Sequence, residues 1–304
     1  MEFDLSQLAA LSAAVSEGTF EGAARVLHVT PSAVSQRLKA LEQAAGRVLV
    51  VRSKPVRVTP SGQPVLRLAR QVALLTADAH RDLDGDVQPV TIPLAINADS
   101  LATWVLDALA PLAGSLCFDI HREDQERTST LLRDGTVTAA ITSDAEPVPG
   151  CTSTRLGKMR YRPMAAPDFL ARWFPAGPSS RALTAAPVVV FDRYDDLQHR
   201  YLRRRIRLAV DVPTHVVPSS ADYVAAVRLG LGWGMLPDLQ SANDEAQGRL
   251  VELDPRGADI TLYWQQWRLR SAALDDLAAA ILAAARRRLI QPTGRAARRA
   301  GASW

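Results

Sequence analysis

The chain of 304 residues holds two cysteines, Cys117 and Cys151. Two thiols cannot form a disulfide framework, and a reducing compartment is the simpler setting. Long apolar runs are missing as well. The longest, LAAAILAAA at 277–285, runs straight into Arg286, Arg287 and Arg288, far short of the roughly 20 residues that cross a bilayer. The opening MEFDLSQ shows neither a basic n-region nor an apolar h-region, so no secretion signal is read and a cytoplasmic protein without membrane attachment is expected. Catalytic signatures are equally scarce. No serine or cysteine stands in a nucleophile motif, and LGLGWGM at 229–235 departs from the dinucleotide fingerprint and follows a helical pattern rather than a strand. Cys117 and His121 flank Asp119, but two such groups make no zinc site. The expectation is therefore a protein that is not an enzyme, with no cofactor and no metal. What is present, 47% hydrophobic residues over this length, suits two or three globular domains.

The net charge of +4 is modest, but its distribution is not uniform. Residues 1–62 carry seven basic and five acidic side chains, and all seven basic ones follow Gly18, where only Glu21 and Glu42 oppose them. Residues 63–285 are net acidic by four charges, and residues 286–304 carry six arginines and no acid. A compact basic head is the electrostatic footprint of a nucleic-acid module. Lysine is nearly absent, and the abundance of arginine fits coding bias as readily as phosphate binding.

The head reads as three helices. Leu5, Leu8, Leu11 and Val15 recur at helical spacing up to Gly18. Thr19 is an N-cap for a helix carrying Phe20, Ala23, Ala24 and Leu27. Thr30-Pro31 then pairs a cap with proline at the first helical position, and the short turn after Leu27 gives the arithmetic of a helix-turn-helix. In the third helix Val34, Leu38, Leu41 and Ala45 form a core stripe, and Ser32, Ser35, Gln36, Lys39 and Gln43 face outward. That polar, hydrogen-bonding face suits base edges in a major groove, with Arg37 on its flank and Thr30 at its start. A solvated face of an ordinary amphipathic helix would look the same in isolation. Residues 48–52 and 56–59 read as two strands of a wing that carries Arg52, Lys54 and Arg57 along the duplex backbone. A solubilising hairpin is the alternative for that pair.

GTFEGAARVLHVTPSAVSQRLKALEQAAGRVLVVR followed by RVTPSG resembles the winged helix-turn-helix of LysR-type transcriptional regulators over residues 4–62. NADSLATW (97–104), LLRDGTVTAAITS (131–143), FDRYDDLQHRYL (191–202) and VRLGLGWGMLP (227–237) are most similar to the ArgP/LysG branch, which controls amino-acid export in response to basic amino acids. The resemblance implies an α/β architecture overall: an N-terminal winged helix-turn-helix at 1–62, a linker helix and hinge at 63–86, and a two-subdomain, periplasmic-binding-protein-like α/β effector domain at 90–304. Subdomain I would span about 90–161 and 265–290, subdomain II about 162–264, with a basic tail at 291–304. It further implies operator DNA as partner, a basic amino acid as effector, and a dimer or tetramer assembled through linker helix and effector domains, with RNA polymerase a further candidate partner.

The residues agree with that order. Thr59-Pro60 opens a long helix whose regular part is expected near residue 63, because Pro64 removes a donor. Val65, Leu68, Val72, Leu75 and Ala79 form a short seam that fits either a second helix or the chain's own body. From Val90 strands at 91–96, 117–122 and 139–142 alternate with helices at 100–112 and up to 133, the signature of a mostly parallel sheet. Ligands in such sheets sit beyond the carboxyl ends of strands. Ser100, read as a helix cap after the first strand, and Thr142, Ser143 and Asp144 after a later one, are the candidate contacts for a ligand carboxylate. Asp99, Glu123, Asp124 and Asp144 are candidate partners for its cationic groups, and Ser219, within Pro218-Ser219-Ser220 before a further helix, is the candidate from the second half. Each has an ordinary reading as a cap or surface acid. Two rivals stay open: a cytoplasmic small-molecule binder or enzyme with an accessory DNA-binding head, and a nucleoid-type protein that binds DNA without sequence preference.

Overall fold

The computed structural model describes residues 2–84, 89–122, 125–206 and 212–292. Helix α1 (Leu5–Ser16) starts where the Asp4 carboxylate accepts from the amides of Ser6 and Gln7. Helix α2 (Phe20–Val26) starts at Thr19, whose hydroxyl accepts from Gly22 N at 3.0 Å. Helix α3 (Pro31–Ala45) starts at Thr30 and stops at Gly46, which takes the left-handed conformation that ends helices cheaply. Each such cap contributes about 1 kcal/mol. The wing is shorter than expected, β1 (Val50–Val51) pairing antiparallel with β2 (Arg57–Val58). Helix α4 (Gly62–Asp84) begins under the Thr59 hydroxyl. Gly62 is required there, since a Cβ would sit 2.0 Å from the Leu49 carbonyl oxygen.

The chain continues through β3 (Val90–Ile96), then a helical run made of α5 (Ala98–Ser100), a π turn (Leu101–Val105), α6 (Leu106–Leu109) and a 3₁₀ turn (Ala110–Leu112). Next come β4 (Leu116–Arg122), α7 (Gln125–Asp134) and β5 (Ala139–Thr142). The long β6 (Cys151–Ala165) leads to α8 (Pro167–Trp173), α9 (Ser180–Ala185), β7 (Val188–Val190), α10 (Leu197–Ile206) and β8 (Thr214–Val216). Then follow α11 (Ser220–Arg228), β9 (Gly234–Pro237), α12 (Asp238–Ala246), β10 (Val251–Glu252), β11 (Ala258–Trp267) and α13 (Ala272–Arg288). Strands β6 and β11 carry the chain between two compact units.

The first unit comprises residues up to Asn97, 109–154 and 264–281. The helical head, α4 and the first α/β layer are thus one body. Its head core is made by Leu8, Leu11, Val34, Leu38 and Leu41 with Leu49 and Leu66. In the sheet, β3 lies between β4 and β5, parallel to both. Ile92, Leu94, Ala95 and Ile96 are fully buried, as expected of a strand covered on both faces. Helix α4 fastens to this layer at two helix ends. The Arg67 and Arg70 guanidiniums donate to the carbonyls of Arg133, Gly135 and Thr136 where α7 finishes, and Arg70 also reaches Ser16 of α1 at 3.2 Å. Burial pulls the Arg70 pKa down to about 10, against the raising pull of Asp119 and Asp134. Further along α4, the Asp78 carboxylate accepts from the first amides of α13, Ala272 N at 3.1 Å and Ala273 N at 3.4 Å. Cations at a helix C-terminus and an anion at an N-terminus complement the helix dipoles. The expected seam on α4 is consequently divided: Val65 is buried, Val72 packs on the head core, and Leu68 and Leu75 stay exposed.

The second unit comprises 98–108, 155–263 and the chain from Leu282 on. Here β6 pairs antiparallel with β9 and β10, so the mostly parallel pattern expected from the alternation holds for β3 to β5 and not for these strands. Strands β7 and β8 pair in parallel. The glycine-rich turn at 229–235 joins α11 to β9, and a Cβ on Gly232 would meet the Pro187 carbonyl oxygen at 2.8 Å, which accounts for the motif as close packing.

Candidate functional site

Two sets of side chains stand out, one in each unit. On the head, burying Val34, Leu38 and Leu41 fixes the rotation of α3 and turns Ser32, Gln36 and Lys39 outward, with Ser35 and Arg37 partly covered at the edges. Thr30 caps the helix through Ala33 N at 3.2 Å, and its hydroxyl lies 2.9 Å from that of Ser32. Arg52, Lys54 and Arg57 are exposed on the wing. Arg52 also lies 5.8 Å from the Phe20 ring centre and 3.9 Å from Glu42, whose carboxylate accepts from Leu49 N at 2.9 Å. Glu42 thereby ties the wing to α3. The nine expected head residues lie on the connected path of α3 and the hairpin, with hydroxyl and amide groups and the cations Arg37 and Lys39 on the helix side and three further cations on the wing.

In the second unit Asp99 is the centre of a polar cluster. Tyr161 donates its hydroxyl to Asp99 Oδ2 at 2.8 Å, Ser220 donates to Oδ1 at 3.2 Å, and Gln240 Nε2 donates to Ser220 Oγ at 2.8 Å. Burial pushes the Asp99 carboxyl above the usual carboxylate range; the two hydroxyl donors oppose the shift, and the Asp195 charge adds to it. Burial and the Asp99 charge also hold the Tyr161 phenol well above its ordinary value, so it stays a donor. No Lys, Arg or His pairs with Asp99 among the described residues. Ser100 Oγ and Gln240 Oε1 are buried in this unit with no partner.

The expected contacts fare unequally. Asp99 and Ser100 are in the second unit, but Ser100 is not a helix cap. The helix starts at Ala98, two residues earlier than expected, so Ser100 has helical backbone angles and its hydroxyl is fully buried. Ser219 stands at the start of α11 without a side-chain cap bond, and its neighbour Ser220 is the one that reaches Asp99. Thr142, Ser143 and Asp144 close β5 in the first unit. Thr142 is buried and accepts from Asp144 N at 3.1 Å, while Asp144 is exposed and accepts from Glu146 N at 3.1 Å, the bonding of a turn. Glu123 and Asp124 lie outside the described residues. Tyr161, Asp195 and Gln240 carry no mark in the sequence, whereas Ser220 belongs to the Pro218-Ser219-Ser220 segment expected at the site. Tyr161 lies within a long strand and Gln240 within a polar helix, and neither has a local pattern that marks it. Among the described residues no group of three His, Cys, Asp or Glu side chains could hold a metal, and no helix is long and apolar enough to cross a membrane.

Known proteins match over nearly the whole chain. The model of the bacterial regulatory helix-turn-helix protein of the lysR family matches residues 5–63, and that of the LysR substrate binding domain matches residues 93–286. The HTH-type transcriptional regulator LysG of Mycobacterium tuberculosis is 44% identical over 289 residues, covering 93% of this chain and 94% of that protein. The crystal structure of ArgP from Mycobacterium tuberculosis is similar with a TM-score of 0.83 at 42% identity, over 96% of this chain and 100% of the other. Full-length LysG from Corynebacterium glutamicum with bound effector Arg gives a TM-score of 0.74 at 37% identity, over 95% and 100%. Relatives of this kind are transcriptional regulators and not enzymes. With a DNA-reading head at one end, a substrate-binding domain matched over most of the remainder, and relatives this similar along its length, the chain belongs to the LysR family of DNA-binding transcriptional regulators.

Proposed function

We propose that this regulator senses a basic amino acid, lysine or arginine, through Asp99, and that ligand occupancy changes how its head engages an operator upstream of an amino-acid exporter gene. One observation carries the reading: a half-buried carboxylate that two hydroxyls orient and that no cation among the described residues neutralises. An ionised carboxylate is costly to hold away from water without a partner, and a ligand ammonium or guanidinium supplies one through charge-assisted hydrogen bonds. Asp195 adds negative potential that favours a cation, and the unpartnered Ser100 and Gln240 oxygens are further acceptors within the same unit. The Corynebacterium glutamicum relative has Arg as its bound effector. The ligand acts on DNA binding only as far as it favours one arrangement of the protein over another by differential affinity. On the head, Ser32, Ser35, Gln36 and Lys39 are assigned to base edges and Thr30, Arg37, Arg52, Lys54 and Arg57 to the backbone. Exposed Leu68 and Leu75 on α4 are assigned to pairing with a second copy in a dimer or tetramer, and the protein is assigned to the cytoplasm. Calorimetric titration of the full chain with lysine, arginine and glutamate tests the sensing claim. Saturable binding of a basic amino acid and none of glutamate is expected; no heat from either basic amino acid would refute the assignment.

A further inference from the structure

Helix α10 is strongly basic on its outer side. Arg200, Arg203, Arg204 and Arg205 fall within six residues, while Leu197, Tyr201 and Leu202 turn inward and are buried. Facing it is the segment from Arg256 to Ile260 that opens β11, and the two enclose a cavity of about 370 Å³ in the second unit. Leu197 and Ile260 give it apolar walls, and the guanidiniums of Arg200, Arg204, Arg205 and Arg256 line it together with a single acid, Asp259.

The charges around this cavity do not cancel. Asp259 is engaged by Arg160 Nε at 2.8 Å and Lys158 Nζ at 3.8 Å, neither of which lines the space. Asp254 is buried and serves two cations at once, lying 2.9 Å from Arg205 Nε and accepting from Arg256 Nε at 3.0 Å, besides the Tyr201 hydroxyl at 3.0 Å. Arg200 uses its Nε on Asp196 at 2.8 Å. Three guanidiniums are thus gripped by their inner nitrogens. The outer nitrogens of Arg200 and Arg256 meet no protein acceptor among the described residues, and Arg204 has no ion pair there at all. Neighbouring cations one helical turn apart repel, a cost that a bound anion removes. Guanidinium forks fit the oxygens of carboxylate and phosphate two at a time, and a space of this volume is that of a small-molecule site.

We propose that this cavity binds a small organic oxyanion, a phosphate ester or a polycarboxylate, with its charged group between Arg204 and Arg256 and its carbon skeleton against Leu197 and Ile260. The site is opposite in sign to the one around Asp99 and shares no residue with it, so a second, anionic signal could reach the same regulator.

Inorganic pyrophosphate and citrate, titrated calorimetrically into the full chain at constant ionic strength in chloride buffer, are the probes. At least one is expected to bind saturably, and tighter pyrophosphate binding identifies a phosphate ester whereas tighter citrate binding identifies a polycarboxylate. Arg204→Ala combined with Arg256→Ala is expected to weaken that binding about tenfold or more, while calorimetric binding of arginine by the same double variant is unchanged. If circular dichroism shows the double variant unfolded, Arg204→Gln alone, at an exposed and unpaired position, replaces it with a loss of about threefold or more. Absence of saturable binding by both probes, or equal binding by the folded variant, would overturn the proposal.

Discussion

The DNA-reading head and the Asp99 cluster use charge in opposite ways. On the wing, Arg52, Lys54 and Arg57 are exposed to water, where a pair of charges 4 Å apart interacts by only about 1 kcal/mol and salt screens it. Around Asp99 a single half-buried carboxylate is held by Tyr161 and Ser220, where the same Coulomb interaction is several times stronger. The head therefore gains affinity by adding many weak contacts along a polyanion, and the sensor by satisfying one group that its surroundings leave in need of a partner. A change at one region should be graded and salt-dependent; at the other it should be nearly all or none.

The largest effect is expected from Asp99→Ala. Removing one side of an enclosed charge pair costs roughly 2–5 kcal/mol, a loss of about thirtyfold or more in arginine affinity. Calorimetry reads that loss, and gel shifts without ligand should show DNA binding within about twofold of the parent. Next comes Ser35→Ala combined with Gln36→Ala. Each lost base contact costs about 1–3 kcal/mol, so specific operator affinity should fall roughly tenfold or more while binding to scrambled DNA is retained. Fluorescence anisotropy on the two duplexes separates these, and an equal loss on both would remove α3 from the base-reading role. Lys54→Ala combined with Arg57→Ala should weaken specific and scrambled DNA alike, and lower the slope of log affinity against log salt by roughly 2, about 0.9 for each phosphate contact.

The smallest effect concerns pH. Burial raises the Asp99 carboxyl, so between the ordinary value and the raised one the native state binds more protons than the unfolded state. In that window the contribution of Asp99 to the stability of the ligand-free chain falls as pH rises, and above it the contribution is constant. Arginine needs the ionised form, so its affinity should weaken as pH is lowered into the same window. Thermal melts of the parent and Asp99→Asn across acidic pH would show the difference, and identical pH profiles would place the charge elsewhere.

The two regions also differ in how far they can be read from the chain alone. Thr19, Thr30-Pro31 and Gly46 mark helix ends by chemistry within three or four residues, and the stripe Val34, Leu38, Leu41 sets the exposed face without tertiary information. The strand β5 follows from an equally local pattern. At Asp99 the partners Tyr161 and Ser220 lie 62 and 121 residues away, so the acid and the serine segment are legible as candidates, but Tyr161 and the bonds that orient the carboxylate are not. Ser100 does not cap because the helix begins before it, directly after Asn97, a residue type that suits a helix start as well as serine does. The use of Arg70 and Asp78 was hidden for the same reason. On α4 they look like ordinary surface charges, and only the approach of α7 and α13 turns them into partners for helix ends.

The account's central claim, that a cation held at Asp99 alters DNA engagement by α3 and the wing, is tested most directly by titrating arginine into the full chain bound to fluorescent DNA from the upstream region of its own and neighbouring genes. The account predicts a saturable change in DNA affinity for the parent, and none for Asp99→Asn at the same arginine concentrations. An equal response in both proteins, or an unresponsive parent that nevertheless binds arginine, would contradict it.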